Sequence, residues 1–369
     1  AVCDYYAEHG PTFLADENAP SDADRSYIAH QPIGTVLAVM PWNFPFWQVF
    51  RFAAPALIAG NSALLKHASN VPQCAMAIEQ IFTDAGFPDN TFRTLMIRAA
   101  QVADVIANPA VQAVTLTGSE SAGRQVAACA GQNLKKSLLE LGGSDAFIVL
   151  ADADLDLTVR NAVSSRFLNA GQSCIAAKRF IVDERIADTF VERFKHAVQA
   201  LKMGDPQHAE TTLAPMARRD LRDELHQQVV ASVEHGAQIV TGGSRPDGDG
   251  AYYPATILDR VAPGMPAYEE ELFGPVASII RVADATQAIE VANASPFGLG
   301  GSVWGRDRQQ TEALALQVEA GACFVNGMVK SDPRLPFGGI KNSGYGRELY
   351  RHGMLEFVNA KTVWIKDLT

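Results

Sequence analysis

The cysteine at position 174 has the surroundings of a nucleophile. Cys174 stands in the segment NAGQSCIAAKR (169–179), between a predicted helix and a predicted strand. A cysteine in a loop of small residues is accessible, and nearby charges can convert its thiol to the reactive thiolate. The alternative is a small buried apolar residue, as most free cysteines are. The loop alone leaves both interpretations open, and the second is preferred for Cys3, Cys74, Cys129 and Cys323.

Two further side chains could serve the same chemistry, one as a base and one as a hydrogen-bond donor. Glu140 ends the apolar run of KKSLLELGG, at the carboxyl edge of a predicted sheet, where α/β proteins bind ligands. Burial there would raise its pKa and suit it to general-base catalysis; the alternative is an exposed edge carboxylate. Asn43 lies between two prolines in VMPWNFPFW (39–47), and a rigidly held amide can donate to an oxyanion. The alternative is a turn asparagine that bonds its own backbone.

Gly118, Ser119 and Lys66 are residue types that bind phosphate. In TLTGSESAG (115–123), Gly118 and Ser119 stand where a helix begins, and the free N–H groups and dipole of such a start attract anions. Lys66 ends a predicted strand and could reach a ribose or a phosphate, although most such lysines only face solvent. The glycine pattern is not GxGxxG, so it is a weak signal by itself.

The elements that must position these residues alternate between strands and helices. Strands are predicted at 35–40, 62–66, 92–97 and 113–118, with helices near 46–59, 72–86 and 100–108 and a further helix that opens at residue 119. This alternation predicts a parallel, doubly wound sheet with helices on both faces.

The alternation starts again after residue 143 and predicts a second α/β domain. Its strands are predicted at 146–150, 179–183, 275–282, 300–305 and 322–327, and its helices near 155–168, 187–201, 219–235 and 285–294. The tail TVWIKDL (362–368) is a late strand, which needs a partner that could lie in another subunit.

Composition and charge exclude several classes of protein. The chain has 369 residues, 47% hydrophobic and 20% charged, which is typical of a globular protein with more than one domain. Its net charge of −10 argues against nucleic acid or an anionic membrane as a partner, so an anionic substrate would need a local basic clamp. The sequence has no apolar run of membrane-spanning length, no signal-peptide pattern and no metal-ligand spacing. Five scattered cysteines favour a cytoplasmic location.

Taken together, these segments resemble motifs of the aldehyde dehydrogenase superfamily, in the family's order and over essentially the whole chain. The matching motifs are PWNFP (41–45), LLK (64–66), TGSESAG (117–123), LELGG (139–143), GQSC (171–174), EELFGP (270–275), PFGGIKNSG (336–344) and GRE (346–348). The resemblance implies an α/β fold with a Rossmann-like cofactor domain (1–15 and 33–140), a second α/β domain that carries the catalytic cysteine (141–355), and a small β oligomerisation element (16–32 and 356–369).

The resemblance also implies a role for each candidate residue. Cys174 is similar to the nucleophile, Glu140 to the general base, and Asn43, with the backbone N–H of Cys174, to the oxyanion hole. Glu348 matches a second carboxylate implicated in proton relay. The implied cofactor residues are Lys66 and Glu271 for the two riboses, Ser119 for the pyrophosphate, Phe273 beside the nicotinamide, and Met40, Pro41, Trp42, Ser69, Gly118 and Gly142 around them. The implied reaction oxidises an aldehyde to a carboxylic acid through a thiohemiacetal and a thioester.

Within the superfamily, the chain is most similar to the bacterial succinate-semialdehyde dehydrogenases. Arg51 and Ser331 match an arginine and a serine that hold the substrate carboxylate there, and an arginine–carboxylate pair is directional. A second arginine of some relatives, six positions before the nucleophile, is replaced by Leu168, for which Arg166 and Arg334 are candidate substitutes. Glutarate semialdehyde or an uncharged aldehyde is the alternative substrate.

The expected nucleotide is NADP, NAD or both. NAD-selective relatives often carry a glutamate three positions after the strand-end lysine, where it holds the ribose 2′-hydroxyl; this chain has Ser69. Without that carboxylate a 2′-phosphate is not repelled, and Lys66 can attract it. The sequence therefore predicts that NADP is accepted.

Two further alternatives concern the whole protein. In a coenzyme-A-acylating enzyme the thioester would pass to a thiol, but Glu140 in the expected place speaks against that reaction. In a structural or binding protein the catalytic set would be dispensable, yet Asn43, Glu140 and Cys174 are all present. Family members carry further β/α units before the segment that opens here, so the resemblance implies an N-terminally incomplete cofactor domain. It also implies a homodimer or a homotetramer.

Overall fold

The computed structural model of the chain describes residues 1–248 and 250–368. Asp249, in the predicted range 141–355, and Thr369, at the end of the predicted range 356–369, lie outside the described residues.

Two units are formed by segments that are discontinuous in sequence. The first unit contains Ala1–Leu141, Ser331–Gly338 and the residues from Gly344 onwards, and the second contains Gly142–Lys330 and Gly339–Ser343. The sequence-based boundaries had put residues 331–338 and 344–355 with the second domain; in the structure they pack with the first unit.

Strands and helices alternate along most of the chain. The strands are β1 (Glu17–Asn18), β2 (Arg25–Pro32), β3 (Thr35–Met40), β4 (Ser62–His67), β5 (Phe92–Thr94), β6 (Val111–Thr117), β7 (Lys136–Glu140), β8 (Asp145–Val149), β9 (Ala177–Asp183), β10 (Gln238–Thr241), β11 (Thr256–Asp259), β12 (Val276–Val282), β13 (Phe297–Gly298), β14 (Gly300–Trp304), β15 (Ala322–Val325), β16 (Ile340–Lys341), β17 (Gly344–Tyr345) and β18 (Val358–Ile365). The helices are α1 (Val2–Phe13), α2 (Trp47–Ile58), α3 (Pro72–Asp84), α4 (Val102–Ala107), α5 (Glu120–Gln132), α6 (Leu155–Phe167), α7 (Glu184–Gln199), α8 (Arg219–Glu234), α9 (Pro266–Glu269), α10 (Ala285–Asn293), α11 (Arg308–Ala315) and α12 (Tyr350–Leu355).

The sheet of the first unit has the strand order β17-β7-β6-β3-β4-β5. All neighbours pair in parallel except β17, which runs antiparallel to β7. The chain first runs outward from β3 through β4 to β5, and then returns to place β6 and β7 on the other side of β3. The strand order therefore reverses between β3 and β6, and ligands of such sheets bind at the carboxyl ends beside that reversal. The predicted doubly wound sheet is confirmed.

Each strand of this sheet sends alternate side chains to opposite faces. In β3, Val36, Ala38 and Met40 pack into one apolar cluster, and Leu37 packs into a second. Helices cover both clusters, as the period of two in a strand requires when both faces are buried. The predicted strand 92–97 is shorter in the structure, because this edge strand pairs with β4 only through Phe92–Thr94.

The second unit repeats the plan with the strand order β10-β11-β12-β9-β8-β14-β15. Its central strands pair in parallel, and β10 is an antiparallel edge strand. In β8, Ala146 and Ile148 face one apolar cluster while Phe147 and Val149 face the other. The predicted second α/β domain is confirmed. None of the helices in the described part of the chain has the length and apolar character that a membrane span needs.

A third, small sheet has the order β1-β2-β18. The tail strand β18 runs antiparallel to β2 along its whole length, from Val358 opposite Pro32 to Ile365 opposite Arg25. The tail strand predicted at 362–368 thus begins four residues earlier, and it finds a partner within the same chain.

Helix α5 packs closely on the first sheet through a glycine. A methyl group on Gly123 would lie 2.6 Å from a buried Leu141 side chain, whereas one on Gly131 of the same helix would meet no atom within 4 Å. The Gly123→Ala variant should therefore be destabilised, because overpacking costs about 1–3 kcal/mol and outweighs the ~0.5–1 kcal/mol that alanine gains in a helix. Gly131→Ala, with the gain and no clash, is the control. The melting temperature should fall for the first variant and rise for the second. Equal melting temperatures would contradict this packing.

Candidate active site

Predicted site residues of the first unit lie at the carboxyl edge of its sheet. Strand β3 ends at Met40 and leads into the segment that carries Asn43, and β7 ends at Glu140 itself. Helix α5 begins after Ser119, where β6 has just ended. Since parallel strands end at the same edge, the structure brings these residues to one side of the sheet.

Asn43 is oriented by a side chain from the next helix. The Nε2 of Gln48 donates to the Oδ1 of Asn43 at 3.0 Å. One position earlier on the helix, the Nε1 of Trp47 donates to the Oγ of Ser331 at 2.8 Å. The segment after β3 is therefore tied to α2, and α2 is tied to the late segment that begins at Ser331.

Glu140 is a buried carboxylate. Its side chain is 2% exposed, and neither carboxylate oxygen has a hydrogen-bond partner among the described residues. Burial raises the pKa of Glu140 well above its usual range, and the charge of Glu348 adds to the rise, while Arg51 and Arg347 oppose it. A carboxylate that is desolvated and holds its proton until a higher pH is the stronger base once ionised, as general-base catalysis requires.

Arg51 is enclosed in the protein. Its guanidinium forms an ion pair with Glu348, donates to the Oγ1 of Thr117 at 3.3 Å and stacks on the ring of Phe337 at 4.5 Å. Both charged side chains of the pair are 3% exposed. Burial raises the pKa of Glu348, and the charge of Arg51 opposes that rise. The arginine predicted to hold a substrate carboxylate is thus already paired with a carboxylate of the protein.

In the first unit, the residues predicted to contact a dinucleotide have groups that can bind phosphate. Lys66 is half-buried and has no hydrogen bond or ion pair with a described residue, and burial lowers the pKa of its ammonium. Ser119 caps α5 by accepting from Ala122 N at 3.4 Å, and Gly118 precedes it. Ser69, at the predicted discriminating position, is exposed. A cation and an open helix start are a donor set that fits the phosphates of a dinucleotide.

The remaining predicted residues of this unit follow β3 directly. Met40 is buried at the strand end, and Pro41 and Trp42 are half-buried after it.

In the second unit, Cys174 lies in a loop that a buried lysine holds. The cysteine is half-buried between a short 3-10 helix, Leu168–Gly171, and β9. The Nζ of Lys178 donates to the carbonyl oxygens of Ser173 at 2.9 Å and Cys174 at 2.8 Å. An ammonium that is 2% exposed is tolerated because carbonyl oxygens replace its water. Lys178, a residue of the following strand β9, therefore fixes the backbone of the loop around Cys174.

The same lysine also contacts the carboxylate predicted to bind a ribose. The Oε1 of Glu271 lies 3.2 Å from the Nζ of Lys178 and accepts from Gly143 N at 3.1 Å. A side chain at Gly142 would displace this carboxylate from its present position. Phe273, two positions further on, is half-buried. Lys178 thus joins Cys174 and Glu271, which are far apart in sequence.

The candidate substitutes for the missing substrate arginine have other roles. Arg166 is fully buried, and its guanidinium donates to the carbonyl oxygens of Gly171 at 3.1 Å, Ala177 at 3.1 Å and Leu272 at 3.0 Å. It therefore holds the loop of Cys174 and cannot face a substrate. Arg334 is exposed and paired with Asp332.

Sequence reasoning missed the buried polar residues that hold the loops. Lys178 and Arg179 lie inside β9, whose seven residues are all buried, and Gln48 lies in the largely apolar helix α2. A polar or charged residue inside an apolar run was the available signal, because such a residue must find partners when buried.

The chain was compared with known proteins. The Aldehyde dehydrogenase family model matches residues 1–363. A protein of Synechocystis sp. described as a probable succinate-semialdehyde dehydrogenase for NADP(+) is 55% identical over 99% of this chain and 80% of its own length. The succinate semialdehyde dehydrogenase for NAD(P)+ of Escherichia coli K12 is 51% identical over 98% of this chain and 79% of its own length.

Solved structures agree with the sequence relatives. Succinic semialdehyde dehydrogenase of Streptococcus pyogenes, in complex with NADP+, superposes with a TM-score of 0.97 at 42% identity, covering 99% of this chain and 80% of that one. Lactaldehyde dehydrogenase of Escherichia coli superposes with a TM-score of 0.96 at 32% identity, covering 99% of this chain and 77% of that one. The chain belongs to the aldehyde dehydrogenase family.

Proposed function

We propose that this protein oxidises succinate semialdehyde to succinate with NADP as the preferred electron acceptor. The observation that carries the proposal is the 51–55% identity to relatives named succinate-semialdehyde dehydrogenases, over nearly the whole chain. The buried base Glu140 and the nucleophile candidate Cys174 are both present, so the site has the groups that the reaction needs.

In the proposed reaction, Cys174 forms and then loses a bond to the substrate. Its thiolate adds to the aldehyde carbon, and the negative oxygen that results accepts hydrogen bonds from the Asn43 amide and the Cys174 backbone N–H. A nicotinamide dinucleotide would supply the acceptor for the hydride that this carbon loses as it becomes a thioester carbonyl. Glu140 then takes a proton from a water molecule, whose oxygen attacks the thioester carbon; the carbon–sulfur bond breaks and releases the acid and the Cys174 thiolate. Glu348 accepts the proton onward through the buried cluster that it forms with Arg51.

Each unit carries residues that are proposed to bind the dinucleotide. In the first unit, Lys66, Ser69 and Ser119, with Gly118 before the helix, would bind the phosphates and the phosphorylated ribose. Glu271, already held by Lys178 and Gly143 N, binds the other ribose. Phe273 and Gly142 of the second unit, and Met40, Pro41 and Trp42 of the first, complete the set.

The proposed clamp for the substrate carboxylate consists of Arg51 and Ser331, and it requires the buried Arg51 guanidinium to share its charge between the substrate and Glu348, with which it is paired in the structure. Trp47 and Arg51 are four residues apart on α2, so they share a face of that helix. Trp47 contacts Ser331, and Arg51 contacts Phe337 of the same late segment. Lactaldehyde dehydrogenase is also a structural relative, so an uncharged aldehyde is the alternative substrate.

We also propose a cytoplasmic homodimer or homotetramer. The sheet β1-β2-β18 leaves an open edge at β18, where Trp364 is half exposed, and such an edge pairs readily with a second chain.

Glu140→Gln should separate the two halves of the reaction. Without a base the thioester forms but persists, so one equivalent of reduced nicotinamide should appear in a burst. The steady-state rate should then fall about 10²–10⁴-fold. In the wild type, hydrolysis should slow as the pH falls through the raised pKa of Glu140, because the protonated acid is no base. Cys174→Ala should give no burst, and Glu210→Gln, at an exposed ion pair, should behave like the wild type. An unchanged steady-state rate in Glu140→Gln would exclude this role.

Ser69→Glu should shift the cofactor preference from NADP towards NAD. The new carboxylate repels a 2′-phosphate and accepts a hydrogen bond from a 2′-hydroxyl. The ratio of kcat/KM for NADP to that for NAD should drop at least tenfold (about 1.4 kcal/mol), and direct titration of each dinucleotide should give the same change in Kd. Ser69→Gln, similar in size but uncharged, is the control. A ratio that does not move would show that residue 69 is remote from the ribose.

Arg51→Ala should weaken binding of carboxylated aldehydes selectively. A hydrogen-bonded ion pair is worth about 1.5–3 kcal/mol, so KM for succinate semialdehyde should rise about 10–100-fold. KM for an uncharged aldehyde of equal length should change much less. Arg51→Lys keeps the charge and should lie between the two. Equal losses for both aldehydes would mean that Arg51 acts only on Glu140 and Glu348.

A further inference from the structure

The turn that carries Asn43 is held by a buried histidine from the neighbouring strand. The Nε2 of His67 lies 2.9 Å from the carbonyl oxygen of Pro45, and its Nδ1 lies 3.2 Å from that of Met40. These carbonyls stand on either side of Asn43. The backbone N–H of Ala68 points at Nδ1 over 3.0 Å. With Nδ1 assigned as the acceptor of this hydrogen bond, the neutral ring carries its proton on Nε2 and donates it to Pro45, and the contact of Nδ1 with the Met40 carbonyl is then not a hydrogen bond.

Burial favours this neutral form of the ring. His67 is 6% exposed, and desolvation lowers its pKa; the carbonyl oxygens of Pro45 and Met40 oppose this shift, and the charge of Lys66 acts with it. The short contact of Nε2 with the Pro45 carbonyl oxygen is therefore a contact of a ring whose neutral form is favoured.

The amide of Asn43 is oriented independently by Gln48. Gln48 is 2% exposed, and its Nε2 donates to the amide oxygen of Asn43. Because the oxygen and the amino group of an amide point in different directions, holding the oxygen also sets where the amino group points. The Oε1 of Gln48 has no hydrogen-bond partner among the described residues. Burying an amide with one unsatisfied end costs free energy. The bond from Gln48 to Asn43 is therefore the feature that a glutamine provides at this position and an apolar residue would not.

We propose that Gln48 and His67 are positioning residues for Asn43: Gln48 directs the amide, and His67 fixes the turn that carries it. This inference rests on the proposed function, in which Asn43 donates to the oxyanion. Both residues act through Asn43, and the step that they serve is addition of the thiolate to the aldehyde.

A double-mutant cycle tests the first half of this inference. Loss of an oxyanion donor costs about 10²–10³-fold in rate, so Asn43→Ala should slow the burst of reduced nicotinamide by that factor. Gln48→Leu leaves the amide undirected and should slow the burst about 10–100-fold. In the double variant, Gln48→Leu should add nothing to Asn43→Ala, because its effect passes through that side chain. The Kd for NADP and the melting temperature should stay close to the wild type.

Two further variants test whether the change in burst rate is specific to position 48 and to the loss of its amide. Gln80→Leu, at an exposed position of α3, should leave the burst rate unchanged. Gln48→Met is a more flexible replacement, to be used if Gln48→Leu lowers the melting temperature.

The second half is tested by exchanging the histidine for the two carboxamides. The amino group of glutamine stands near the position of Nε2 and can donate to Pro45, so His67→Gln should retain most of the burst rate. The amino group of asparagine stands near Nδ1 and cannot reach Pro45, so His67→Asn should slow the burst about 10–100-fold.

The outcomes separate this inference from the function on which it rests. An unchanged burst in Asn43→Ala would refute the oxyanion role itself. A slow Asn43→Ala together with a fast Gln48→Leu, or full additivity in the double variant, would overturn the role of Gln48. Equal rates in His67→Gln and His67→Asn would overturn the role of His67.

Discussion

The first unit depends on one group of buried charges. Glu140 comes from β7, Arg51 from α2 and Glu348 from the late segment, so three distant parts of the chain meet there. A buried carboxylate without a partner is very unfavourable, and removing one member of a buried ion pair costs about 3–5 kcal/mol. The late segment therefore has to pack with the first unit, as the division of the chain shows. The burial that raises the pKa of Glu140 thus involves a late segment of the chain, which packs with this unit.

The second unit also buries charged side chains, but here they are cations. Lys178 and Arg166 are buried, and both donate to backbone carbonyls of the loop that carries Cys174. Carbonyl oxygens replace part of the lost water, although burial still lowers the pKa of Arg166 to about 9, and the loop acquires a defined shape. Lys178 extends this support to Glu271. These contacts give the loop of the proposed nucleophile Cys174 a defined shape.

The chain belongs to the aldehyde dehydrogenase family, and the chemistry proposed for it needs only a few reacting groups, each held firmly in place. The proposed chemistry needs a thiolate, a hydrogen-bond donor and a base, each held within a fraction of an ångström of its working position. Each unit contains a buried polar residue that holds a candidate site residue or its loop. Gln48 beside Asn43 and Lys178 beside Cys174 are two instances, one in each unit.

The sequence by itself determined the fold class and the family. Alternating strand and helix patterns identified both α/β units, because hydrophobic periodicity is local; for instance, β3 and the start of α5 lie where they were predicted. Ordered motifs such as PWNFP and GQSC carried the resemblance. Only the tertiary structure decided which unit receives residues 331–338, that Arg51 is paired with Glu348, and that Arg166 supports a loop. Those facts depend on contacts between residues far apart in the chain, and the energy of a buried charge is set by such neighbours, which periodicity and local motifs do not encode.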